Sequence, residues 1–74
     1  MKIGLLWYDS LAVRPLEERI ARGVAYYRDK YHIVANRCYV NPTTLGDKQI
    51  RVGIVEVLPS KTVLPNHFWI GVEE

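Results

Sequence analysis

The sequence predicts an α/β domain in which strand, helix, strand, helical turn, strand and strand follow one another, with one long helix on one face of a mixed sheet. Three observations predict it. Residues 3–8 are an unbroken apolar run of strand length, and residues 14–31 repeat apolar side chains at helical spacing. Residues 50–58 and 67–72 are rich in valine, isoleucine and aromatics and are bounded by turn residues. With 74 residues the chain reads as a single domain, 1–74. A core of that size rarely supplies more than about 3–5 kcal/mol without disulfides, metal or self-association.

The first strand, residues 3–8, is apolar at odd and even positions alike, which predicts burial on both faces and a central place in the sheet. Its odd residues Ile3, Leu5 and Trp7 should face one side, with Leu6 and Tyr8 on the other. Asp9 and Ser10 end it. The helix is expected from about Arg14 to Tyr31, with Pro15 in its first turn, Glu17 and Glu18 at the positive end of the dipole, and Arg28 and Lys30 at the negative end. Spacing at 100° sets Val13, Leu16, Ile20, Val24, Tyr27 and Tyr31 on one core-facing stripe. Gly23 borders it, which predicts close approach of helix to sheet.

Residues 32–36 read as a connection and residues 37–40 as a short second strand, joined to the first by a right-handed crossover. Asn41 as cap, Pro42 at the first helical position and Gly46 at the exit predict a single helical turn. Residues 50–58 are taken as one third strand, ended by Pro59 and Ser60. The fourth strand places Phe68, Ile70 and Val72 on one face and His67 and Trp69 on the other.

Composition excludes several function classes. Hydrophobic residues make up 49% and charged residues 24%, which is not a disordered composition, and a net charge of +2 is too small to imply polyanion binding by itself. A lone cysteine with two histidines makes no disulfide framework and no zinc-ligand spacing, so neither metal nor cofactor is expected. The apolar run 3–8 is shorter than a secretory core of about 7–15 residues, and no run approaches the roughly 20 residues of a membrane span. A soluble, cytoplasmic chain is the expectation.

No nucleophile triad or phosphate loop stands out. If the first three strands are parallel and the last runs back, Asp9, Ser10, Asn41, Thr43, Ser60, Lys61, Asn66 and His67 all fall at the carboxyl edge of the sheet, where open α/β sheets bind ligands. His67 is the general acid or base available near neutral pH, with Asp9 or Cys38 as a conceivable partner. The plainer reading, a hydrogen-bonded structural histidine, is preferred, and Cys38 reads as a small buried hydrophobe. Arg19, Arg22, Tyr26 and Lys30 share a helix flank that could contact phosphates and bases. Glu18 and Asp29 dilute its charge, so a solvated flank with an Arg22–Tyr26 cation–π contact is preferred and nucleic acid is not the expected partner.

The segments 25–31, 38–42 and 64–71 together resemble a group of small prokaryotic proteins of similar length with no known activity, and the likeness runs over nearly the whole chain. A second resemblance is to the strand cluster of tailed-phage capsid proteins, carried by Val40-Asn41-Pro42, residues 43–46, 54–60 and 68–71. It implies that the third and fourth strands share a mixed sheet.

The leading expectation is a small non-catalytic protein-interaction module, homodimeric through the sheet face opposite the helix and burying Trp7 or Trp69. One helix covers one face only. Apolar side chains predicted on the second face would leave a patch that monomers avoid. The runner-up is a ligand-binding protein or enzyme using the polar edge around Asp9, Asn41, Ser60 and His67. Third stands the nucleic-acid flank.

Overall fold

A computed structural model describes residues 3–73. Seven elements follow in order: β1 (Gly4–Tyr8), α1 (Leu16–Tyr31), β2 (Arg37–Val40), α2 (Pro42–Leu45), β3 (Arg51–Val52), β4 (Val55–Pro59) and β5 (His67–Gly71). The five strands form one mixed sheet in the order β1-β5-β2-β4-β3. β4 runs parallel to β2, while β5 is antiparallel to both β1 and β2. The α/β class, the long helix and the helical turn stand as expected; the orientation of the third strand, left open by the sequence, is parallel to β2, and β4 and β5 flank β2 in the sheet.

Three expectations need correction. β1 is an edge strand, not a central one, because β5 rather than β1 inserts beside β2. Residues 50–58 are not one strand: Gly53, at φ 58°, turns the chain so that β3 pairs antiparallel with β4. A left-handed residue within an alternating apolar stretch needs glycine, and that glycine is the hairpin. Val13 does not join the helical stripe but is 85% exposed ahead of the helix. Pro15 disfavours helical geometry at Arg14, so Pro15 is itself the cap and the first helical residue is Leu16.

The helix lays Leu16, Ile20, Gly23 and Tyr27 on the sheet, over Leu5, Ile70, Cys38 and Val57 in one cross-strand row and Trp7, Phe68 and Val40 in the next. Gly23 makes this approach possible. A Cβ there would lie 2.6 Å from Ile70 Cδ1 and 2.7 Å from the Trp7 ring, closer than side chains pack. At its far end the helix stops on His32, whose left-handed backbone at φ 58° lets its N–H reach the Arg28 carbonyl at 2.8 Å. Beyond it, Asn36 ties the start of β2 to the last described turn of chain, accepting from Glu73 N and donating to Glu73 O.

α2 is built as its residues predict. Asn41 Oδ1 accepts from Thr43 N at 2.8 Å, Pro42 opens the turn, and Gly46 closes it with its N–H on the Pro42 carbonyl. Leu45 is the one side chain of α2 in the core.

Candidate functional site

Two surfaces meet along the carboxyl ends of β1, β2 and β4: a polar edge and the open face of the sheet. Parallel pairing of β4 with β2 puts Ser60 beside Asn41, and antiparallel pairing of β5 with β1 puts Asn66 and His67 beside Asp9. The chain segments therefore converge as the sequence predicts. Their polar groups are spent on one another and on the loop between β4 and β5.

Asp9 illustrates this. Its Oδ1 accepts from Leu11 N at 2.9 Å, its Oδ2 takes an ion pair from Arg14 at 3.3 Å, and its N–H donates to the Asn66 carbonyl at 3.0 Å. Asn66 holds a left-handed backbone at φ 63°, a conformation that asparagine tolerates, and its N–H donates to Thr44 Oγ1. Asn41 donates through Nδ2 to the Val63 carbonyl at 2.8 Å, pinning the loop from the other side. Ser60 Oγ shares a 2.9 Å hydrogen bond with Thr62 Oγ1. Ser10, Thr43 and Lys61 are exposed. Among the described residues no hydrogen bond joins the side chains of Asp9, Asn41, Ser60 and His67.

The residue that the sequence reading misassigned is Arg19. It belongs to no solvated flank: only 8% exposed, it donates from Nη1 to the Asp9 carbonyl at 3.1 Å and to Asn66 Oδ1 at 3.3 Å, with its guanidinium 5.8 Å from the Phe68 ring centroid. It lies on the glycine side of the apolar stripe, one turn before Gly23, and that position is the signal for its burial. Tyr26 makes no cation–π pair with Arg22 but stacks on Trp7, with ring centroids 5.4 Å apart.

His67 sits between the two surfaces. Its Nδ1 lies 2.9 Å from the Pro65 carbonyl, which can only accept, so Nδ1 carries the proton of the neutral ring and Nε2 keeps the lone pair. The ring tilts against Tyr8 at 4.8 Å. It also rims a cleft of about 450 Å³ on the open face, floored by Leu6, Tyr39 and Trp69, walled by Val63 and Leu64, and edged by Ser60 and Thr62.

Registration across four strands makes the floor of that face. Leu6 faces Trp69, Trp69 faces Tyr39, and Tyr39 faces Leu58. Beside this row Gly4 and Gly71 pair on adjacent strands, and the Trp69 indole lies over Gly4, where a Cβ would run into its ring. Arg37 and Glu56 complete the second row with a 3.5 Å ion pair. Of the two tryptophans, Trp69 lies on the open face, whereas Trp7 lies on the helix side under Gly23 and Tyr26.

Cys38 has no part in either surface. Fully buried, its thiol is pushed up to about 12 by loss of hydration. Thiol reagents at pH 8 should therefore leave it untouched in the native protein and label it on unfolding. Because the folded-state value lies above the ordinary 9.0, stability from this group is fully present below about pH 9 and is lost as pH rises towards 12. Tyr27 acts in the same direction: burial, then the neighbouring Tyr31, holds its phenol above the usual value. A pH titration of the denaturation midpoint checks the sign, since a midpoint that rose above pH 9 would contradict it.

Among the described residues no histidine, cysteine, aspartate and glutamate group is placed to hold a metal ion, and no helix is long and apolar enough to cross a membrane. No family model, no curated protein and no solved structure matches this chain.

Proposed function

We propose that the chain is a non-catalytic protein-interaction module that pairs with a second copy of itself through the sheet face opposite α1. The observation that carries this reading is the row Leu6, Trp69, Tyr39 and Leu58, which crosses four strands on the side away from the helix. Leu6 is 54% exposed and Trp69 37% exposed, and Tyr8 and Leu64 extend the same surface. Buried aromatics at the centre of a patch are the side chains that dominate association energies. Burying this face would also offset the small core.

Sedimentation or light scattering tests this directly. Trp69→Glu should halve the native mass, because a charge at the centre of the face would be buried without a partner. A wild-type chain of single-chain mass at high micromolar concentration, or a Trp69→Glu variant of unchanged mass, overturns the reading. The polar-edge alternative is weaker, since Asp9 and Asn41 are occupied by the loop and only Ser60 and His67 reach the cleft. The nucleic-acid alternative loses Arg19 to the interior and keeps Arg22 and Lys30 alone.

A further inference from the structure

β1 has the composition of an interior strand and the position of an edge strand. Residues Gly4–Tyr8 carry no charge, no proline and no bulge, the devices that ordinarily protect an exposed edge from pairing. The opposite edge is protected in the usual way, for β3 is only two residues long and begins with Arg51. Exposed apolar side chains gather at the unprotected edge. Ile3, Leu6 and Tyr8 lie on or beside β1, Leu11 and Val13 follow it, and Tyr26 stacks on its Trp7. Trp7 Nε1–H, buried at this strand, has no acceptor among the described residues.

We propose that β1 pairs antiparallel with the β1 of a second copy about a two-fold axis at Leu6, joining two sheets edge to edge. This contact is made by the main-chain edge of β1 and does not rest on the face pairing proposed above, although the Leu6 and Tyr8 side chains border both surfaces. The main chain fixes which groups are free. Asp9 N–H donates to the carbonyl of Asn66, directly opposite it in the β1–β5 register, so Asp9 is at a hydrogen-bonded position. Hydrogen-bonded and non-hydrogen-bonded positions alternate along an antiparallel ladder, so Trp7 and Leu5 also point their main-chain groups at β5. Gly4, Leu6 and Tyr8 point theirs outwards.

A two-fold at Leu6 matches this pattern. It sets Gly4 opposite Tyr8 of the second copy and Leu6 opposite its own equivalent, the hydrogen-bonded positions of the new ladder, and forms about six main-chain hydrogen bonds. The whole of β1 is used, with no overhang. Antiparallel pairing also sets Ile3 of one strand opposite Asp9 of the other, which the exposed Leu11 and Val13 follow. The six exposed apolar side chains around the edge offer roughly 600 Å² per copy, and the edge main chain adds to it, which approaches the ~800 Å² of a standard interface. In the pair, β1 occupies the centre of a continuous sheet, and its main-chain groups on both sides are hydrogen-bonded. Where face pairing forms as well, four chains close in 222 symmetry if the two axes cross at right angles.

The experiment is done in the Trp69→Glu variant, which removes the face contact and leaves the edge intact. Sedimentation should give a dimer, and amide exchange at Gly4, Leu6 and Tyr8 should slow by about tenfold or more with rising concentration while Leu5 and Trp7 stay unchanged. Cross-linking supplies a readout in the wild-type background. Leu6→Cys should form a disulfide with its own equivalent, since hydrogen-bonded partners sit about 5.5 Å apart at Cα, whereas Tyr8→Cys should not, its equivalent lying four residues along the strand. Should Trp69→Glu fail to fold, Tyr39→Glu removes the same face from the neighbouring strand. A single-chain mass with unchanged exchange, or equal cross-linking at both positions, overturns the edge pair. A wild-type dimer that becomes a single chain in Trp69→Glu overturns the edge and leaves the face pairing standing. A dimer of the same mass in both supports the edge and removes the face.

Discussion

Phe68→Ala is expected to unfold the domain. Phe68 stands on β5, between β1 and β2, with its ring fully buried under α1 and opposite Trp7 on one side and Val40 on the other. Truncating a buried phenylalanine costs about 3–5 kcal/mol, the transfer of the ring plus the cavity left behind. A core of this size supplies about 3–5 kcal/mol in total, so one substitution consumes the whole margin. The cavity cannot collapse easily, because the Arg19 guanidinium above the ring is held by the Asp9 carbonyl and Asn66. Loss of the cooperative thermal transition at room temperature is the expected result. A retained transition shifted by only a few degrees would mean that Phe68 is not central to the core.

Much of the fold was legible because its signals are local. The α2 turn follows from Asn41, Pro42 and Gly46 alone, and β2 from four residues between an asparagine at each end. The apolar stripe of α1 gave Leu16, Ile20 and Tyr27 their places. What was not legible depends on partners. Two-sided apolarity of β1 says that both faces meet something apolar, but it cannot say whether the neighbours belong to the same chain. Gly53 looks like an interruption within a strand because alternation resumes on both sides of it, and only the φ of 58° makes it a turn.

The polar edge shows a different limit. Topology brought Asp9, Asn41, Ser60, Asn66 and His67 to one end of the sheet as the sequence implies, and that part rests on strand direction. Whether a polar side chain faces a ligand or its own backbone is decided within a few ångströms, below the reach of pattern. Asn41 turned inwards to the Val63 carbonyl of the loop between β4 and β5, and the Asn66 side chain turned to accept from Arg19. Trp69 was legible as facing away from Phe68 and Ile70, since alternation along a strand leaves no other choice.

Arg19→Met is expected to release the loop that walls the cleft. The substitution keeps an apolar stem over Phe68 while removing the donor shared by the Asp9 carbonyl and Asn66 Oδ1. Hydrogen bonds from a charged group are each worth about 1.5–3 kcal/mol, and the acceptors left behind in a part-buried site are not free to hydrate fully. Global stability should fall by about 2–3 kcal/mol on that account. The loop should respond more than the rest, because Asn66 is the residue that turns it into β5 and is anchored otherwise only through its main chain, by its N–H on Thr44 and its carbonyl on Asp9 N–H. Lys61, exposed in that loop, supplies a probe: trypsin cuts after it only when the segment opens. A loss of one or two kcal/mol in local stability raises the open population 5–30-fold, so cleavage at Lys61 should accelerate by roughly tenfold under native conditions. Arg19→Lys should not restore the wild-type rate, since an ammonium offers no planar fork to span two acceptors or to lie over a ring. With the loop loosened, Val63 and Leu64 no longer wall the face, and the proposed self-association should weaken although neither residue has been changed. Cleavage at Lys61 that kept its wild-type rate while global stability fell would show that Arg19 supports the core and not the loop.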